Sequence, residues 1–345
     1  MSLPSPAADP APHDPRLHHD PVSGRTVFVA PTRATRPHDA DRPADAAGTS
    51  APRDWCPFCA GNEHRTPPAW LRAPADAAGP WQARIVPNLY PFAVEDPLAG
   101  DPAVGQVPPQ PRPAHGVHDV VIESAAHERA ITAVAADAWR DVWELCRRRL
   151  EMLAGRSDLA WATIFKNSGP RAGASLEHLH SQLVALDFVP AVMQCEMVAT
   201  ARSPGLFADV ITAADATGLI VAERADVVLL VPAAPRQPFE AWILPRTPEP
   251  FFHATSASRV AAVAELTQLY VGRLERLVPG SHFNWWLHQL PFGSRASAGV
   301  RAAWHWHLEI LPRLSSFAGF ELATGCHITP LSAAESAVRL RAAGS

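Results

Sequence analysis

Apolar residues recur along this chain in two periods, and the order in which those periods alternate is its first legible feature. Short alternating or continuous apolar runs predict strands at Thr26–Ala30, Arg84–Pro87 and Asp119–Glu123. A 3.6-residue repeat predicts a helix over Ala133–Leu153, followed by a strand at Trp161–Phe165. A polar, glycine-bearing loop, Asn167–Ser175, then leads into His178-Leu179-His180-Ser181-Gln182 and the apolar run Leu183–Leu186. The second half repeats the order. Strands are predicted at Leu219–Val221, Val227–Val231 and Ala241–Pro245, a helix at Ser258–Leu277, a strand at His282–Leu290, and a second His-x-His strand across Trp304–Pro312. A closing helix is predicted over Ser332–Ala343, while 36–54 and 94–115 are proline-rich and predict loops.

Strands, helix, strand, loop and His-x-His strand occurring twice imply an internal duplication. The expected fold class is α+β, each repeat an antiparallel sheet with a helix on one side. The expected division is a disordered leader over 1–19, a first repeat over 20–200 and a second over 201–345.

Composition narrows the function classes. A net charge of −4 gives no reason to expect a nucleic-acid surface. No apolar run reaches the ~18 residues of a membrane helix. The leader Met1–His19 lacks an apolar signal core, which predicts a cytoplasmic protein. Five cysteines, two of them spaced Cys-x-x-Cys, suit metal or thiol chemistry better than a disulfide framework. Lys166 is the sole lysine and lies in the segment leading to the first His-x-His pair, so it is a candidate phosphate contact. The plainer reading is a solvated charge.

On a strand, alternate side chains share a face, so His178, His180 and Gln182 are expected to point the same way. Two imidazoles and an amide beside a glycine-bearing loop suit phosphate chemistry, with a histidine as nucleophile or base near neutral pH. The plainer reading is a polar strand edge. Cys56-Pro57-Phe58-Cys59 can supply two thiols to one zinc, with histidines completing four ligands; His118 and His178 are the candidates. A redox dithiol is the alternative.

Ordered motifs across nearly the whole chain resemble the galactose-1-phosphate uridylyltransferase family of the histidine-triad superfamily. They are Asp20-Pro21, Gly24-Arg25, Pro31–Pro37, Cys56–Cys59 with Gly61-Asn62, Pro87–Pro91, Gly116–Glu123 and Phe165–Asn167. Ser175, His178–Gln182 and Phe317–Glu321 complete the set. The resemblance implies a duplicated histidine-triad-like fold and ping-pong nucleotidyl transfer from a nucleotide sugar to a sugar 1-phosphate, as in UDP-glucose:galactose-1-phosphate transfer of galactose metabolism. It implies His180 as the nucleophile, Gln182 and Ser175 as contacts to the transferring phosphoryl group, and Arg33, Arg36, Asn88 and Asn167 as nucleotide or phosphate contacts. It also implies a zinc site of Cys56, Cys59, His118 and His178, and it is compatible with a homodimer.

Leu179 and Ser181 depart from the uridylyltransferase pattern, and His307–Leu314 with Gly325-Cys326 looks more like a branch containing plant ADP-glucose phosphorylases. That branch implies adenylyl transfer to phosphate instead. A second metal site has two candidate sets: Glu196, His288, His305 and His307, or Cys195, His253 and His305 with Val192 where a further cysteine would stand. A plainer reading is packing in an inactive second repeat. A histidine-triad hydrolase of dinucleotides and a non-enzymatic nucleotide-binding or zinc scaffold are the remaining function classes.

Overall fold

A computed structural model describes residues 14–35, 55–75, 79–95 and 111–344. The expected loop over 36–54 lies outside these residues, as does 96–110 of the one expected over 94–115. A small sheet is formed by β1 (Arg16–His19), β2 (Thr26–Val29) and β5 (Arg112–Pro113), in the order β2-β1-β5. The expected disordered leader is thus corrected at its end: residues 16–19 pair with 26–29, because Leu17 is buried there and Asp20–Arg25 closes a tight turn. Residues 1–13 lie outside the described set.

The first repeat contributes β3 (Leu71–Ala73), β4 (Ala83–Pro87), β6 (Gly116–Ile122), α1 (Ala136–Ala154), β7 (Trp161–Ser168) and β8 (His180–Leu186). The second contributes β9 (Ile220–Arg224), β10 (Val227–Leu230), β11 (Ala241–Pro245), α4 (Ala257–Leu277), β12 (Phe283–His288) and β13 (His307–Pro312). Together they form one ten-stranded antiparallel sheet in the order β3-β4-β6-β8-β7-β12-β13-β11-β10-β9. Read inward from each edge, the two halves have the same order, and in each the fifth strand lies between the third and the fourth. The duplicated pattern is therefore a duplicated topology, and the fold is α+β.

The halves join through β7 and β12, with Phe165 opposite Trp286 and Asn167 opposite Asn284. Helices α1 and α4 pack against each other on one face of the sheet. Their buried residues recur at helical spacing: Trp139, Val142, Trp143, Cys146, Leu150 and Leu153 on α1, and Val260, Val263, Thr267, Val271 and Leu274 on α4. The Trp139 indole donates to Thr267 Oγ1 at 3.0 Å, tying the two helices together inside the core.

Two further helices, α2 (Ala191–Arg202) and α3 (Leu206–Ala216), are not signalled by the apolar pattern. On α2 the apolar residues are spread around the axis: Met193 is buried while Val192 and Val198 are exposed. Both helices cover the sheet face opposite α1 and α4 in the second repeat: Glu196 of α2 reaches His288 and His307, and Phe207 of α3 packs on Trp304, His305 and His307. Short helices α5 (Ala298–Ala303), α6 (Gly319–Thr324) and α7 (Ala333–Ala342) complete the chain. Among the described residues, no helix is long and apolar enough to cross a membrane.

Trp139→Ala removes the largest side chain shared by α1 and α4. Chemical denaturation is expected to show a loss of about 3–5 kcal/mol; a loss below about 1 kcal/mol would contradict this account of the core.

Candidate functional site

Antiparallel pairing of β6 with β8 sets Ile122 opposite His180 and Val120 opposite Gln182. The segment leaving β6 therefore lies beside the segment entering β8. That geometry assembles the site. On the face away from α1 and α4, Phe58 from the Cys-x-x-Cys turn stands 5.3 Å from the His180 ring, centroid to centroid.

His180 is buried at 9 % exposure. Its Nδ1 lies 2.8 Å from the His178 carbonyl oxygen, an acceptor, so Nδ1 carries the proton and Nε2 the lone pair. Two cavities meet at this residue. The larger, about 620 Å³, is lined by Asn167, Ser175, His180, Arg129, Ser281 and His282 among others. The smaller, about 300 Å³, has walls from Phe58, Val86, Val120 and Leu89, with Asn88 and Gln182 at its polar side. Ser175, Leu176 and His180 border both.

His178 precedes the first paired residue of β8, so it is not held by the ladder, although its ring and that of His180 both lie against Phe58 as strand alternation predicts. Outside the ladder it turns its Nδ1 to 3.5 Å from Cys56 Sγ and 3.6 Å from Cys59 Sγ, while Nε2 donates to the Ser124 carbonyl at 2.9 Å. The fourth member of this cluster is His127, whose Nδ1 is 3.3 Å from Cys59 Sγ. His118 is not part of it. His118 stands four positions before Ile122, about 13 Å along a strand, so it lies toward the other end of the β6–β8 ladder, opposite Val184. The missed signal was topological: the neighbour of a residue just before β8 must lie just after β6, which selects His127.

Two thiols and two imidazole nitrogens within 4.8 Å of one another fit a tetrahedral metal site. Ligands of a zinc at ~2.0–2.3 Å stand about 3.5 Å apart, close to the separations here. Burial pushes the Cys56 thiol up to about 12 and the His178 imidazole down to about 3. A neutral imidazole is ligand-ready, and a thiol so buried ionises near neutral pH only beside a cation. The Ser124 carbonyl orients His178 as an outer-shell acceptor orients a metal-binding histidine.

His118 instead serves Gln182. The Phe92 N–H donates to His118 Nδ1 at 3.2 Å, which puts the proton on Nε2, and Nε2 donates to Gln182 Oε1 at 2.8 Å. The Gln182 amide NH₂ is thereby the end left to address a phosphoryl oxygen. Asn88 lies beside the same histidine, its Nδ2 3.0 Å from Nε2. Asn167 Oδ1 accepts from Asn284 Nδ2 at 2.8 Å, so the second repeat steadies the wall of the larger cavity. Arg33 donates to the Tyr90 carbonyl at 3.0 Å and stacks on Phe92. Arg36 lies outside the described residues.

Lys166 departs from its expected place in two ways. It is part of β7 rather than a loop, and its ammonium is buried on the helix-bearing side of the sheet, 2.5 Å from Glu123 Oε2. Burial lowers its pKa, opposed by the Glu123 charge. Although the residue borders the larger cavity, its charge is engaged by Glu123 rather than presented to a phosphate.

A second cluster joins Glu196, His288, His307 and Glu309. His288 Nδ1 lies 2.8 Å from Glu196 Oε1 and His307 Nε2 3.5 Å from Glu196 Oε2. Burial alone would raise the Glu196 carboxyl, but hydrogen bonds from the two histidines hold it at about 2. Of the two candidate sets for a second metal, the one with Glu196, His288 and His307 comes together, with Glu309 in the fourth place. His305 turns its Nδ1 to the Pro245 carbonyl at 2.8 Å, and His253 stacks on Phe251 away from the cluster. Cys195 is exposed.

Comparison with known proteins places this geometry among relatives. The chain is 29 % identical over 323 residues to an ADP-glucose phosphorylase of Arabidopsis thaliana, covering 92 % of this chain and 90 % of that one. It is 22 % identical over 339 residues to a galactose-1-phosphate uridylyltransferase of Thermotoga maritima, covering 94 % and 97 %. The crystal structure of an Arabidopsis thaliana ADP-glucose phosphorylase with bound ADP-glucose superposes with a TM-score of 0.73 at 27 % identity, over 95 % of this chain and 98 % of that one. A uridylyltransferase structure superposes at 0.75 with 23 % identity, over 95 % and 98 %. The family described as "Domain of unknown function (DUF4921)" matches residues 124–342. The chain belongs to that family, and it is similar to ADP-glucose phosphorylase and to galactose-1-phosphate uridylyltransferases.

Proposed function

We propose that this protein is a hexose-1-phosphate nucleotidyltransferase that works through a covalent nucleotidyl-His180. The observation that carries this reading is the His180 imidazole, its proton held on Nδ1 by the His178 carbonyl, at the junction of two cavities. The apolar walls of the smaller cavity suit a nucleoside, and the polar larger one suits a hexose phosphate.

In the first half-reaction the Nε2 lone pair attacks the α-phosphorus of a nucleoside diphosphate hexose. The N–P bond forms as the bond to the bridging oxygen breaks, and hexose 1-phosphate leaves with that electron pair. In the second, an acceptor phosphate oxygen attacks the same phosphorus and the N–P electrons return to His180. Imidazole is both nucleophile and leaving group, so one hard displacement becomes two easier ones. The Nδ1–H bond to His178 stabilises the positive charge that the ring acquires. Gln182, aimed by His118, and Ser175 donate to the phosphoryl oxygens as charge builds there.

Adenylyl transfer from ADP-glucose to phosphate is the first choice of substrates, favoured by the 29 % identity to the phosphorylase over nearly the whole chain and by Leu179 and Ser181. UDP-glucose with galactose 1-phosphate is the second, favoured by the full-length similarity to the Thermotoga maritima enzyme. We further propose zinc at Cys56, Cys59, His127 and His178, where the metal would lock the segment entering β8 and so fix the carbonyl that orients His180.

Incubation with donor labelled in the α-phosphate is expected to leave acid-labile label on the protein, with ADP-glucose labelling faster than UDP-glucose. His180→Ala is expected to abolish labelling and lower turnover by about 10⁴-fold or more. Absence of label with either donor would sink the covalent mechanism.

Metal analysis separates the two histidines. His127→Ala is expected to lose bound zinc and melt earlier, whereas His118→Ala keeps zinc and loses turnover. Zinc retained by His127→Ala and lost from His118→Ala would reverse the assignment.

The metal-stripped protein carries a pH signature. His178 has a folded pKa near 3 against about 6.5 unfolded, so its contribution is complete above 6.5 and is lost as pH falls toward 3. His253 and His305, also lowered by burial, act in the same direction; His307, raised by Glu196 against its burial, opposes them. Melting of the stripped protein is therefore expected at lower temperature at pH 5 than at pH 7.5, and an unchanged melting temperature would contradict a neutral buried His178.

A further inference from the structure

Behind the proposed nucleophile, on the other side of the sheet, lies a polar network that none of the chemistry above uses. The Lys166 ammonium donates to Glu123 Oε2 at 2.5 Å and to the His180 carbonyl at 2.9 Å. Ser181 Oγ donates to Glu123 Oε1 at 2.5 Å. All three side chains are buried: Lys166 is 2 % exposed, Glu123 1 % and Ser181 3 %. Lys166 also lies over the Trp285 ring at 5.6 Å, within the core shared with α1.

The duplication supplies an internal control. Ser181 lies opposite Val121, as Leu308 lies opposite Ile243. Phe165 lies opposite Gln182, as Trp286 lies opposite Glu309. Stepping along these strands, Ser181 corresponds to Leu308, Glu123 to Pro245 and Lys166 to Leu287. The same places behind His307 are thus buried and free of charged side chains, with Leu287 and Leu308 both at 0 % exposure. This sheet therefore packs well without the network. Replacing a buried ion pair with apolar side chains is often neutral or stabilising, so stability alone gives no reason to keep a desolvated lysine and glutamate on one side of the duplication.

What differs between the sides is the histidine in front. His307 is covered by α2 and α3 and 1 % exposed, whereas His180 opens onto both cavities. We infer that Lys166, Glu123 and Ser181 are positioning residues that clamp the backbone at His180 and Ser181 from behind and so hold the His180 imidazole in line with the phosphorus it attacks. Two anchors act on consecutive residues: one on the His180 carbonyl, one on the Ser181 hydroxyl, both referred to the same carboxylate. His180 is the first residue of β8, and the backbone of Leu179 before it is tied to Glu128 and Glu123, so the two side-chain anchors add to main-chain bonds at the strand's start, where a displacement would carry the ring with it. A misplacement of about 1 Å at a reacting atom can cost ~10²-fold in rate.

The inference rests on the proposed covalent chemistry at His180, and the wild-type protein tests that chemistry separately: an unlabelled wild type would overturn the chemistry itself. With a labelled wild type, the decisive variant is the double substitution Lys166→Leu with Glu123→Leu, which brings the first repeat's interior to the second's apolar character and leaves no unpaired buried charge. It is expected to keep its melting temperature, to form labelled His180 about 10²-fold more slowly with α-phosphate-labelled ADP-glucose or UDP-glucose, and to keep the half-saturating donor concentration within about threefold. Labelling at the wild-type rate would overturn the positioning role while leaving the covalent mechanism intact. Should the double variant not fold, Ser181→Ala and Ser181→Thr carry the test. Slower labelling by the alanine variant, restored by the threonine hydroxyl, supports the clamp, and wild-type rates in both overturn it.

Discussion

The antiparallel ladder between β6 and β8 is the constraint on which the candidate site depends. Because the strands run in opposite directions, the chain leaving β6 and the chain entering β8 lie side by side at one end of the sheet. Glu123, Ser124 and His127 are delivered by the first, and His178, His180 and Ser181 by the second. A Cys-x-x-Cys turn folded over this corner completes four metal-type donors. Pairing also carries His118 and Gln182 to neighbouring strands of the same face, where one bond between them points the glutamine amide. One backbone register thus sets the proposed nucleophile, the amide and the donor cluster.

Duplication and asymmetry work together in the rest of the molecule. Both repeats have the same strand order, joined through β7 and β12, and each begins its fifth strand with the second histidine of a pair. The second repeat then diverges: α2 and α3 cover its histidines, Glu196 lies against His288 and His307, and Arg236 ties Glu309, which stands where the first repeat has Gln182. A carboxylate there would repel a phosphate, whereas an amide can donate to one. The first repeat keeps open cavities and a polar interior behind its histidine. The second has become a buttress that lends Ser281 and His282 to the wall of the larger cavity and, through Asn284, steadies Asn167 there.

Much of the fold was legible because strong periodicities survive burial. The helix predicted over Ala133–Leu153 is α1, and that over Ser258–Leu277 is α4, since each presents one continuous apolar stripe to the sheet. Helices α2 and α3 were not legible, because α2 spreads its apolar residues around the axis and buries little beyond Met193 and Thr200. The extent of β7 was missed for a related reason. Lys166-Asn167-Ser168 looks like a loop by composition, yet it is held in the ladder by β12, a partner more than a hundred residues away in sequence.

From sequence alone come the two-fold repetition, the α+β class, the His-x-His pairs and the Cys-x-x-Cys turn, because these are patterns of residue type at short, regular spacing. Convergence is a different kind of property. That His127 rather than His118 joins the thiols, that Lys166 pairs with Glu123 rather than a phosphate, and that His178 and His180 turn to different tasks were decided by tertiary structure. Each depends on which strand ends meet and which side of the sheet a side chain occupies. A one-dimensional pattern names the chemical groups available; register and burial decide which of them share a few ångströms and so can act on one another.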